Sequence, residues 1–118
     1  MEFNMADCIF CKIVNGAVPS PRLYENEYVI AIDDINPVAN VHALIITKAH
    51  YKDILSLDIG DAGLLQGIHQ AVGEVARLKG VEGAGFRMIT NCGGDGGQMI
   101  PHLHFHIIGG QKLGTKIV

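Results

Sequence analysis

Between Pro101 and Ile108 the chain reads Pro-His-Leu-His-Phe-His-Ile-Ile. Alternation of imidazole and apolar side chains fits an extended strand, because successive side chains point to opposite faces. In a strand, His102, His104 and His106 share one face, spaced about 6.6 Å apart at a rise of ~3.3 Å per residue. Leu103, Phe105 and Ile107 line the other. The segment therefore demands a sheet with a packed core on one side and a rack of imidazoles on the other. Imidazole serves as base, nucleophile or metal ligand, so the rack marks a site.

The other elements follow from periodicity and punctuation. Residues 8–14 predict a short helical turn, ended by Asn15-Gly16. Residues 22–25 and 28–33 predict two strands around Asn26-Glu27. Residues 34–40 form a connection containing Pro37, and residues 42–47 are β-branched and apolar enough for a buried strand. A long helix follows, with Asp58 or Asp61 as N-cap and an apolar stripe through Leu65, Ile68, Val72, Val75 and Leu78. Arg77 and Lys79 suit the negative end of its dipole, and Gly80 closes it. Gly63, Gly67 and Ala71 recur at four-residue steps in this helix. They are either tolerated small residues or a smooth ridge for close backbone approach, across a dimer axis for example. Residues 86–91 and 102–108 complete the strands. The expected class is α+β: an antiparallel sheet covered by one long helix.

The chain has 118 residues, 48% of them hydrophobic and 18% charged, which suits one domain with one core over residues 1–118. Met1-Glu2-Phe3-Asn4 precedes a second methionine, Met5, so residues 1–5 are expected to be a disordered or vector-derived tail without function. Nine Lys and Arg against twelve Asp and Glu give a net charge of −3. With the cations scattered, nucleic acid is not the expected partner. No run of apolar residues is long enough for a membrane span, and the start lacks the layout of a signal peptide. Three cysteines, two of them in Cys8-Ile9-Phe10-Cys11, are no disulfide framework. A reducing, cytoplasmic location is expected.

Two further segments carry chemistry. Residues 91–98 read Asn-Cys-Gly-Gly-Asp-Gly-Gly-Gln. Glycines there, Gly97 among them, let backbone N–H groups converge as a nest for an anion, typically phosphate. Such a turn is otherwise a flexible loop; beside a histidine rack it gives the layout of phosphoryl or nucleotidyl transfer. No Lys-Ser/Thr follows, so it is not a Walker loop. Cys8 and Cys11 are half of a tetrahedral metal site, with His50 and one rack histidine as candidates for the rest, or else a redox dithiol. Cys92 reads as an ordinary cysteine. A third arrangement makes the three rack histidines ligands of a catalytic metal, which leaves Cys8 and Cys11 unexplained.

The segment His102-Leu103-His104-Phe105-His106-Ile107-Ile108 matches every position of the motif that gives the histidine triad family its name. The resemblance runs from Asp7 to Gly110. It takes in Phe10-x-Lys12-Ile13, Asp34-Ile35-Asn36-Pro37, His42-x-Leu44-x-Ile46 and Gly94-Asp95-Gly96-Gly97-Gln98, and it is closest to the HINT-like, purine nucleotide-binding branch. It implies a five-stranded antiparallel sheet with one long helix, continued across a homodimer. It implies cleavage or transfer at the α-phosphorus of AMP or GMP conjugates, with aminated or aminoacylated AMP as the usual substrate. His104 would be the nucleophile, with His106 and His42 beside it in the phosphate site. Asp34 would accept the ribose hydroxyls, Phe10, Ile32 and Ile35 would form the base pocket, and Asn91 and Gln98 would contact phosphate or leaving group. No metal would be required for the chemical step. The zinc-containing branch implies a structural zinc on Cys8, Cys11, His50 and His102. Two features depart from relatives. Met99 stands where many have a phosphate-binding Ser or Thr, and no tryptophan-bearing tail follows Lys116. They motivate a second reading, a nucleotide-binding interaction protein with little turnover; a dinucleoside polyphosphate hydrolase is a third.

Overall fold

Strands form where the β-branched runs lie, and helices where apolar residues recur at three and four. The computed structural model describes residues 7–116. The expected tail at residues 1–5 lies outside them. In chain order the elements are α1 (Ile9–Val14), β1 (Tyr24–Glu25), β2 (Val29–Asp33), β3 (Val41–Thr47), a 3-10 turn (Ile54–Ser56), α2 (Ala62–Leu78), β4 (Phe86–Ile89) and β5 (His104–Gly109). The strands make one five-stranded antiparallel sheet in the order β1-β2-β3-β5-β4. The expected α+β class, an antiparallel sheet with one long helix, is the observed one.

Register sorts the side chains into two layers. Ile46 sits opposite His104, Leu44 opposite His106 and His42 opposite Ile108, while Ile30 and Ile32 of β2 sit opposite Ile46 and Leu44. Cross-strand partners share a face. The even-numbered face of β3 and β5 therefore carries the histidines among aliphatic neighbours, and α1 covers part of it with Phe10 and Ile13. On the opposite face, Val29, Ala31, Ala43, Ile45, Leu103, Phe105 and Ile107 pack under Leu64, Ile68, Ala71 and Val75 of α2.

The final strand starts later than its alternation suggests. His102 N–H bonds to the Ile100 carbonyl at 2.8 Å and Leu103 N–H to the Tyr51 carbonyl at 2.6 Å, so these residues lie outside the regular ladder. Their faces are nonetheless kept, since Leu103 joins Phe105 and Ile107 in the core. The stripe of α2 also differs at both ends. Leu64 is buried while Leu65 and Leu78 are exposed, because the helix turns its 64-68-71-75 row to the sheet. Asp61 is the N-cap, its carboxylate accepting from Leu64 N–H. The small-residue ridge has an occupant from the same chain. A Cβ on Gly67 would lie 2.8 Å from the Tyr28 ring, and Gly63 is pressed against the same side chain. At these two glycines the close approach is to Tyr28 of the same chain.

Candidate functional site

Backbone groups set the tautomers of His42, His102 and His104. His104 Nδ1 lies 2.7 Å from the His102 carbonyl oxygen. A carbonyl only accepts, so Nδ1 carries the proton and Nε2 keeps its lone pair. The ring of Phe10 packs edge-on at 4.9 Å between centroids. The Thr90 hydroxyl donates to the His104 carbonyl at 2.8 Å, tying the site to the residue after β4. Burial lowers the pKa of His104, opposed by its bond to the His102 carbonyl and by the nearby Asp34 charge.

His42 is wired the other way round. Val38 N–H donates to its Nδ1 at 3.1 Å, so the proton of a neutral ring sits on Nε2. That Nε2 lies 2.9 Å from His106 Nδ1 and 3.3 Å from Asp34 Oδ2. One N–H is thus shared between an imidazole and a carboxylate. Asp34 is aimed by its own turn, its Oδ1 accepting from Asn36 N–H at 2.8 Å. Burial, then the neighbouring His104 and His42, push His106 down to about 4. Asp34, His42 and His106 bring donor atoms within 4.8 Å of one another. Metal binding there would need the His42 nitrogen that carries the proton, so this trio suits proton handling better than ligation.

The second cluster is chemically different. Cys8 Sγ lies 3.3 Å and Cys11 Sγ 3.5 Å from His102 Nδ1, and Cys11 Sγ lies 3.2 Å from His50 Nδ1. A tetrahedral zinc with bonds of about 2.3 Å to sulfur and about 2.0 Å to nitrogen separates S and N ligands by about 3.5 Å. The four side chains therefore fit such an ion with little movement. His102 Nε2 donates to the Thr47 carbonyl at 2.7 Å, which fixes the tautomer and leaves Nδ1 facing the thiols, as a ligating histidine requires. Burial lowers His50, and pushes fully buried His102 down to about 4. Burial and the adjacent Cys8 push the Cys11 thiol up to about 11. This Cys/His cluster could hold a metal ion. It also pins α1 against the segment leading into β5.

The remaining expected residues are placed unevenly. Phe10 and Ile32 are buried against the histidine layer, whereas Ile35 is 90% exposed on the connection after β2. Met99 is 91% exposed at the mouth of the glycine turn. Gly97 takes a positive φ of 80° and its N–H bonds to the Gly94 carbonyl at 3.0 Å. The carboxamides of Asn91 and Gln98 are engaged inside and beside the turn. His69 lies exposed on α2, away from both clusters. The sequence reading missed the Val38 N–H and the carbonyls of Thr47 and His102, which set the tautomers. Backbone groups leave no residue-type signal, so only the fold reveals them.

A family model described as HIT domain matches residues 15–113. Among solved structures, a HIT family hydrolase from Clostridium thermocellum superposes with a TM-score of 0.90 at 46% identity, covering 95% of this chain and 97% of its own. A histidine triad protein from Clostridium difficile gives a TM-score of 0.88 at 44% identity, with 99% and 100% covered. A protein of Azospirillum brasilense named as an uncharacterized HIT-like protein is 39% identical over 110 residues, 92% of this chain and 90% of that one. Among the described residues, no helix is long and apolar enough to cross a membrane.

Proposed function

The chain belongs to the HIT domain family, and from that premise we propose that it cleaves phosphoramidate or acyl-phosphate bonds at the α-phosphorus of AMP or GMP conjugates, through a nucleotidyl-His104 intermediate. The observation that carries this reading is the His104 tautomer. With Nδ1–H held by the His102 carbonyl at 2.7 Å, the lone pair on Nε2 is free to attack phosphorus, and burial favours the neutral ring. The printed names of relatives that are hydrolases support the reaction class.

The steps balance as follows. His104 Nε2 forms a bond to phosphorus while the bond to the leaving amine or acyl oxygen breaks. The leaving group takes a proton from His106, which takes one up from solvent when an anionic substrate sits beside it. Water then attacks phosphorus and gives up a proton to His106, which restores the acid; the Nε2–P bond breaks, and the nucleoside monophosphate leaves. Backbone N–H groups of the glycine turn stabilise the charge on the phosphate oxygens. In the same reading Asp34 meets the ribose hydroxyls, Phe10, Ile32 and Ile35 hold the base, and Asn91, Gly97, Gln98 and Met99 border the phosphate and leaving group.

Cys8, Cys11, His50 and His102 would hold a structural zinc. Four protein ligands leave it no open position, so its contribution is to fix His102, whose carbonyl orients His104. The partner we infer is a second copy of the chain, since edge strand β4 carries exposed Phe86 and Met88. Three free thiols among the described residues suit the cytoplasm.

A second reading, a nucleotide-binding protein with little turnover, is favoured by exposed Met99 and by the prior engagement of Gln98. Release of AMP from adenosine phosphoramidate and from diadenosine polyphosphates separates the readings. Turnover of the phosphoramidate, lost by about a thousandfold in His104→Ala, is expected. Tight AMP binding with background turnover on every substrate would favour the binding protein instead, and faster cleavage of the polyphosphates the third option.

A further inference from the structure

We infer that Gln98 is a positioning residue, whose carboxamide clamps the glycine turn to the two segments that bear His50 and His102. Its Nε2 donates to the Lys52 carbonyl at 2.6 Å and to the Ile100 carbonyl at 3.1 Å, and its Oε1 accepts from Gly93 N–H at 3.0 Å. The reversed amide would set its oxygen against two carbonyl oxygens, so the orientation is fixed. A carboxamide has two N–H donors, and both are used here. A phosphate oxygen needs a donor. Gln98 therefore reaches an anion directly only by breaking one of these bonds.

The three anchor points span the site. Lys52 follows His50 by two residues, Ile100 precedes His102 by two, and Gly93 opens the turn. The turn's other end lies near the 3-10 turn. The Cys92 thiol sits beside Asp53, and burial and that carboxylate raise its pKa. The same carboxylate caps the 3-10 turn through Leu55 and Ser56 N–H at 3.0 and 3.1 Å. Inside the turn, Gln98 N–H bonds to the Gly93 carbonyl at 3.1 Å, and Asn91 Nδ2 donates to the Gly96 carbonyl at 2.7 Å. Glycine-rich backbone loses much entropy when ordered. Side-chain tethers at both ends hold the turn in one shape before any ligand arrives, and pre-ordering of this kind favours binding.

Only the effect on turnover rests on the proposed hydrolase reading; the clamp itself is a property of the ligand-free protein. Its test is amide hydrogen exchange on the ligand-free chain, comparing wild type with Gln98→Ala and with Gln98→Met, which keeps side-chain length without hydrogen bonds. Exchange at residues 93–98 and at residues 51–57 should quicken together, by about tenfold in both variants, as expected for losing such bonds. AMP affinity and kcat should fall in parallel. Wild-type exchange in both segments combined with weaker AMP binding would overturn the inference, since it describes direct ligand contact. So would quickening confined to the turn, or wild-type exchange in Gln98→Met alone, which would assign the effect to packing. Quickening as expected in a protein whose wild type hydrolyses no phosphoramidate would leave the clamp standing and remove the hydrolase reading.

Discussion

At His104 the decisive quantity is which nitrogen carries the proton. The His102 carbonyl at 2.7 Å settles that in favour of Nδ1. The His104→Ala loss of turnover follows from it. His106 carries a different expectation, for stability. Burial, with His104 and His42 beside it, lowers this ring from 6.5 to about 4. Below about 6.5 the unfolded chain takes up a proton that the folded ring refuses until about 4, so the unfolded state binds more protons in that window. Stability should therefore fall as pH drops from 6.5 towards 4. In thermal melts across this range, the decline of Tm with acid should be shallower in His106→Gln than in wild type. Parallel pH profiles would contradict the assignment. The alternation of residues 102–108 made the shared face of the imidazoles legible in the sequence. It could not reveal the tautomers, because the groups that set those of His102 and His104 belong to the main chain.

At the scale of elements, α2 shows where pattern reading succeeds and where it slips. Asp61, one of two N-cap candidates, and the buried central residues Ile68 and Val75 were legible, since capping and burial act locally. The ends were not: Leu64 and Leu65 are equally apolar, and only the angle at which the helix meets the sheet decides which is buried. The Tyr28 contact was also hidden, because it joins β2's leading edge to the middle of the helix. It yields a prediction opposite to propensity. Alanine in a helix interior is better than glycine by about 1 kcal/mol, yet Gly67→Ala should destabilise the protein by about 1–2 kcal/mol net, because the new Cβ would lie 2.8 Å from the Tyr28 ring. Urea unfolding measures this, and a stabilised variant would show that the ring moves aside freely. The Cys/His cluster acts at the same scale, joining α1 to the entry of β5. One zinc per chain is expected by elemental analysis, with a Tm drop of several degrees on chelation or in Cys8→Ser. Metal retained in Cys8→Ser but lost in His104→Ala would instead put the ion on the triad.

For the whole molecule, the sheet ends on one side in β4, whose ladder groups on the outer edge are available for pairing. An open edge with exposed Phe86 and Met88 invites a second strand. Two copies joined there would extend the sheet and place two sites on one particle. Sedimentation should find a dimer for wild type and a monomer for Met88→Lys, which sets like charges near the axis; a monomeric wild type would contradict the pairing. Net charge and hydropathy made nucleic acid and membrane unexpected as partners, but they carried nothing about phosphate, because the groups that would hold it are imidazoles and backbone N–H donors. The covalent nucleotidyl-histidine can be trapped by acid-free rapid quench of the wild type with adenosine phosphoramidate, followed by peptide mass spectrometry. AMP attached to the peptide carrying His104, formed and consumed at rates consistent with turnover, is expected. Full turnover with no adduct at any time, or undiminished turnover in His104→Ala, would contradict it.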